Sequence, residues 1–143
     1  MNITLEYLKP EDLPQYKALI DEAFGNSRSL DEYNKRYDPN HSAYKILVAK
    51  DEAQLIGTIT IYMIDLFTFD FQPTLEIYNV VVAKEYRGTN TASLMFDFMK
   101  DFAHEHGYQS ASVTCLTEAT RAHRFYEKMG FEKLDRERFL LRI

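Results

Sequence analysis

Arg87-Gly88-Thr89-Asn90-Thr91-Ala92 sets a guanidinium, a glycine and three short polar side chains between an apolar run, Leu75 to Ala83, and an amphipathic one, Thr91 to Gly107. A loop that enters a helix leaves several backbone N–H groups without helical partners, and the helix dipole adds roughly half a positive charge there. Phosphate satisfies both. Gly88 lets the backbone approach a ligand closely, Arg87 adds a charge-assisted donor, and Asn90 and Thr91 are able to cap the helix. A second candidate is Glu76, an acid in a run whose valines, Val80, Val81 and Val82, imply burial on both faces. A period of two places Glu76, Tyr78, Val80 and Val82 on one face, although a carboxylate at the start of a strand is also commonly solvated. The third stretch is Arg121 to Phe131, where His123 titrates closest to neutral pH. Cys115 lacks a flanking base motif and reads as a small buried residue, while His104 and His106, two apart near a helix end, point to different faces and form no metal pair.

The elements that must position these residues follow from periodicity. Asn2 to Leu8 alternates like a short outer strand. Pro10-Glu11-Asp12 starts a helix whose apolar positions run from Leu13 to Phe24, and Gly25-Asn26 ends it. Ser29 to Tyr37 carries a second short helix, broken by Asp38-Pro39-Asn40. Tyr44 to Ala49 and Gln54 to Leu66 read as an antiparallel hairpin. The aromatic connection Phe67 to Pro73 is either a loop packed over the core or a substrate wall. Leu94, Met95, Phe98, Met99, Phe102 and Ala103 form one apolar stripe on the next helix. Tyr108 to Leu116 is then a strand, Thr120 to Met129 a helix stopped by Gly130, and Phe139 to Ile143 a closing strand.

With 143 residues, the chain suits a single domain, 1–143. No apolar run is long enough to cross a bilayer, the first residues do not look like a signal peptide, and the single cysteine suits a reducing compartment, so a cytoplasmic location is expected. A net charge of −5 argues against a nucleic-acid binder and fits an amine-bearing partner better.

The loop Arg87 to Ala92, between strand and helix, resembles the phosphate loop of the GCN5-related N-acetyltransferase (GNAT) family, Gln/Arg-x-x-Gly-x-Gly/Ala, with Arg87 and Ala92 matching its ends and Asn90 replacing a usual glycine. Ala122-His123-Arg124-Phe125-Tyr126-Glu127-Lys128-Met129-Gly130-Phe131 is similar to that family's cofactor-contacting helix. The likeness spans Glu76 to Phe131 and is only architectural before it. The Arg-Gly-x-Asn loop also looks like that of the aminoalkylphosphonate N-acetyltransferase branch.

The resemblance implies an α/β (α+β) acyl-CoA N-acyltransferase fold, a mixed, mostly antiparallel sheet flanked by helices. It further implies that acetyl-CoA lies between the fourth and fifth strands, its pantetheine on the backbone of Val80, Val81 and Val82 and its pyrophosphate on Arg87, Gly88, Thr89, Asn90, Thr91 and Ala92. Glu76 is the candidate general base, its carboxyl expected to be pushed toward neutrality by Tyr78 and the apolar strand, and His123 is the alternative. Tyr126 matches the tyrosine that donates a proton to the CoA sulfur. The implied activity is acetyl transfer to the primary amine of a small molecule. Protein N-terminal or lysine acetylation, a non-catalytic acyl-CoA-binding module and a nucleotide-binding module are the alternatives. Folds of this kind commonly pair, so a homodimer is possible; no nucleic acid, membrane or metal is expected.

Overall fold

A computed structural model describes residues 1–25 and 28–143. Its strands are β1 (Ile3–Tyr7), β2 (Tyr44–Asp51), β3 (Gln54–Ile64), β4 (Thr74–Val82) and β5 (Ser110–Val113), and its helices are α1 (Leu13–Phe24), α2 (Leu30–Arg36), α3 (Thr91–His106) and α4 (Thr120–Lys128). They form a five-stranded sheet in the order β1-β2-β3-β4-β5. Neighbours from β1 to β4 are antiparallel and β4–β5 is parallel. This is the mixed, mostly antiparallel sheet that the sequence implies, with β1 at one edge as expected. Among the described residues no helix is long and apolar enough to cross a membrane.

The sheet separates two cores. On one side α3 lays Met95, Phe96, Met99 and Phe102 on Leu47, Ile59, Ile61, Leu75 and Ile77. On the other, Leu13, Tyr16 and Leu19 of α1 pack on Val48, Leu55 and Val81. Alternation along the strands sorts side chains between these cores, because successive Cβ atoms leave a strand on opposite faces. Phe96, missing from the predicted stripe, is fully buried and meets the rings of Phe125, Tyr126 and Phe131 at 5.5, 5.7 and 5.8 Å. At the start of α1, Lys50 Nζ donates to Glu6 Oε1 (2.6 Å) and Asp12 Oδ1 (2.8 Å), tying the β1–β2 edge to the turn before the helix. That hydrogen bond holds the Glu6 carboxyl below its usual range.

The structure departs from sequence expectation in several places. Gly25 stops α1 with φ +88°, while Asn26, the other half of that expected stop, lies outside the described residues. Phe67 and Phe71, anticipated as candidates for packing over the core, are 86% and 64% exposed and touch each other edge to face. Cys115 is exposed, because β5 ends at Val113 before reaching it. Finally, residues 132–143 form no strand, and Phe139 and Leu141 stand 91% and 82% exposed. The expected closing strand has β-forming residues but pairs with no strand among the described residues.

Candidate active site

The site is built around an irregularity in β4. Thr60 pairs with Tyr78 and Thr58 with Val81, so β4 has one more residue than β3 across this step. Asn79 absorbs the surplus with φ +54°. Such a bulge disrupts the ladder locally and reverses the alternation beyond it. Leu75 and Ile77 face the α3 core before the bulge; Val80 and Val82 face it afterwards, and Val81 enters the α1 core. The expectation of a shared face for Glu76, Tyr78, Val80 and Val82 is therefore corrected: the inserted residue puts the valines on the face opposite Glu76. The expectation that the valine run is buried on both faces is met on the α1 side by Val81 and corrected on the other, where Val80 and Val82 are only half-buried.

The parallel pairing of β4 with β5 covers only Thr74 to Ile77. Beyond Ile77 the β5-facing edge of β4 has no strand partner, and a cleft of about 340 Å³ opens along it. Val80 and Val82 form one wall, Ala122, Phe125 and Tyr126 of α4 the other, and Tyr86, Arg87, Gly88, Thr89, Ala92 and Arg121 the mouth. A strand edge without a neighbour presents N–H and C=O groups that an amide-bearing ligand satisfies as an added strand would.

The mouth is preorganised. Gly88 takes φ +80°, the left-handed turn that admits the chain into α3. Asn90 is the N-cap residue but has φ −84° and no capping side-chain bond, so no left-handed tolerance is required of it. Thr89 takes over part of that role: its Oγ1 donates to the Tyr86 carbonyl and lies 3.4 Å from the Thr91 N–H that points to it. Thr91 is fully buried against Gly57, where a Cβ would come within 3.2 Å of the threonine methyl, so its hydroxyl does not reach the cleft. The Tyr86 hydroxyl donates to Asp51 Oδ2 at 2.7 Å and anchors the loop to the end of β2. Of the sequence-derived candidates, Val80, Val82, Arg87, Gly88, Thr89, Ala92 and Tyr126 line the cleft, whereas the side chains of Val81, Asn90 and Thr91 do not.

Tyr126 packs among Phe96, Phe125 and Phe131, with ring centroids 5.5 to 5.7 Å away. Burial pushes its phenol up to about 12, with a smaller upward contribution from Cys115. At neutral pH it therefore holds its proton and can donate it. His123 is not in the cleft wall; its Nε2 lies 2.9 Å from the Leu116 carbonyl, which engages it as a donor at the exit of β5. Glu76 lies half-buried on the opposite face of β4, opposite Tyr62 in register, and its Oε2 accepts from the Tyr78 hydroxyl at 3.3 Å. Tyr44, Tyr62 and Tyr78 make successive ring contacts across three strands beside it, at 5.8 and 5.4 Å.

Sequence reasoning missed Tyr86 and, on α4, Arg121 as cleft residues. The signal was present: Arg121, Ala122, Phe125 and Tyr126 recur at helical spacing, so a face that presents Tyr126 also presents Arg121.

A strand edge freed by a bulge, a glycine turn into a helix start and a tyrosine on the facing helix define an acyltransferase of the acyl-CoA type. The chain belongs to the Acetyltransferase (GNAT) family, which its sequence matches over residues 12–131. It is an acetyl-CoA-dependent N-acetyltransferase of that family. No curated protein sequence matches it significantly. Among solved structures it is similar to the glucosamine-6-phosphate N-acetyltransferase of Arabidopsis thaliana, with a TM-score of 0.86 and 18% identity over 99% of each chain. An aminoglycoside acetyltransferase from an uncultured soil metagenomic sample, in complex with sisomicin, gives 0.80 and 19%, covering 98% of this chain and 97% of that one. The ribosomal-protein-alanine N-acetyltransferase of Brucella melitensis gives 0.83 and 17% over 99% of each. At these identities the likeness is one of fold, and the three act on different acceptors.

Proposed function

We propose that the chain transfers the acetyl group of acetyl-CoA to the primary amine of a small molecule by direct attack in a ternary complex. The observation that carries this reading is the cleft, whose volume suits a small-ligand site and whose mouth concentrates the donors a pyrophosphate needs. Val80 and Val82 flank the pantetheine arm, which pairs with the free edge of β4, while Arg87, Arg121 and the N–H groups of Gly88, Thr89 and Ala92 face the phosphates. Asn90 and Thr91 act through the backbone of the helix start, Val81 through the strand.

The acceptor amine approaches from the other face of β4, where Glu76 lies among phenol rings. Aromatic faces and a carboxylate suit a cationic amine, and the amine must lose its proton before it attacks. Glu76 takes that proton, directly or through water. The nitrogen lone pair then forms the new C–N bond at the thioester carbon, whose oxygen leans on a backbone N–H of Val80 or Val81. When the C–S bond breaks, Tyr126 gives its proton to the departing thiolate.

The test is CoA-thiol release against aminoalkylphosphonates, polyamines, amino acids, aminoglycosides and short peptides. Release with one class of small amine is expected. Release with peptides alone would move the acceptor to a protein terminus or lysine. Acetyl-CoA that raises the melting temperature without release on any amine would instead support a binding module.

A further inference from the structure

Asp51 closes β2 and does not line the cleft. An acid beside a hairpin turn is ordinarily solvated. This one has both carboxylate oxygens engaged. Oδ2 accepts from the Tyr86 hydroxyl at 2.7 Å, a length typical of a charge-assisted bond, and Oδ1 accepts from the Asn2 N–H at 3.1 Å. The phenol holds the Asp51 carboxyl below its usual range, and the carboxylate in turn pushes the Tyr86 phenol up. At the other end of that bond, Tyr86 forms part of the cleft mouth. Its carbonyl is the point on which the next residues fold, accepting from Thr89 Oγ1 and from the Thr89 N–H at 3.3 Å. Thr89 Oγ1 lies 2.8 Å from the Thr91 hydroxyl and 3.4 Å from the Thr91 nitrogen, in the first turn of α3. A path of hydrogen bonds therefore runs from Asp51 through the side chain and carbonyl of Tyr86 to the helix start. The loop has little packing of its own, because Arg87, Gly88 and Asn90 are exposed, and glycine has the widest backbone freedom.

We infer that Asp51 is a positioning residue for the acyl donor: through Tyr86 it holds the loop's N–H groups in the arrangement that a pyrophosphate takes. This rests on the proposed seat of the pyrophosphate at the cleft mouth. A loop already held in its bound shape loses less entropy when the ligand arrives, so the anchor acts on affinity without touching the ligand. The same carboxylate also fixes the start of β1 through Asn2, whose carbonyl accepts from the Glu52 N–H at 3.3 Å. The hairpin end, the edge strand and the donor loop thus meet at one acidic side chain.

Calorimetric titration of acetyl-CoA into the full chain is the test, with the melting temperature of the ligand-free protein as a companion reading. Asp51→Ala and Tyr86→Phe are each expected to raise the Kd about fivefold to tenfold, the contribution of one net hydrogen bond. Because both remove the same bond, the double variant is expected to be no weaker than either single one. Asp51→Asn is expected to stay within about twofold of the wild type, since its amide oxygen takes the Asn2 N–H and its NH2 group donates to the phenol oxygen. A Kd that moves in neither single variant, even where the melting temperature falls, would overturn the inference. So would a double variant whose loss is the product of the two, or an asparagine variant as weak as the alanine one. Acetyl-CoA that fails to bind the wild type would overturn the proposed seat and this inference with it, whereas unmoved variants of a wild type that binds overturn the inference alone.

Discussion

Tyr126 has two properties that pull in the same direction. Its ring is fixed by three phenylalanines, and its burial keeps the phenol protonated, up to about 12. A fixed, protonated donor is what a leaving thiolate requires. Tyr126→Phe preserves the packing and removes the proton, so kcat is expected to fall by about 10²–10³, within the range of general acid catalysis, while acetyl-CoA affinity stays within a few-fold. Steady-state kinetics together with acetyl-CoA titration separate the two; equal losses would assign Tyr126 to binding or packing. Glu76→Gln is expected to remove the acidic limb of the pH–rate profile, since glutamine cannot take a proton, and an unchanged limb would dismiss Glu76 as the titrating base. Glu76 and Tyr126 stand out in the sequence as candidates because both residue types are conspicuous where they stand. Arg121 stands out less, since an arginine beside another basic residue on a polar helix reads as a solvated charge until the opposite wall is known.

At the scale of elements, the strands and helices were legible to within a few residues because each has a clear period, a proline or capping start, or a glycine stop. The bulge was not. Its signal is one asparagine in an apolar strand, and whether Asn79 turns left-handed depends on the pairing of β4 with β3, which the local sequence does not contain. The same reason explains the missing closing strand: Phe139 to Ile143 has the composition, but a strand also needs a neighbour. Asn79→Val probes the bulge directly. A β-branched residue at φ +54° is expected to cost about 1–2 kcal/mol and to raise the KM for acetyl-CoA as the edge of β4 is pulled back into regular pairing. Asn79→Gly is expected to leave both close to wild type. Urea denaturation and kinetics on the pair give the comparison, and equal behaviour of the two variants would mean that the left-handed turn is not what shapes the edge.

Across the whole molecule, three phenols titrate together. Tyr16, Tyr37 and Tyr126 are each raised from 10.0 to about 12, in every case chiefly by burial. The folded chain thus holds these protons more tightly than the unfolded one. Their contribution to stability is complete below pH 10, where both states are protonated, and is lost as pH rises through about 12, because the unfolded state alone gains by ionising in that window. Urea midpoints are expected to fall steeply between pH 10 and 12, and less steeply in Tyr126→Phe; a flat profile would show that these hydroxyls are solvated in the fold. A different consequence follows from the way the sheet keeps its two cores apart. The residues proposed to grip the acyl donor and those proposed to meet the acceptor share a strand but pack into different cores, so substitutions on the two faces should combine additively, within about 0.3–0.5 kcal/mol. On the proposed reading, a lineage built this way can change what it modifies by rewriting the α1 face alone, with the donor side inherited intact.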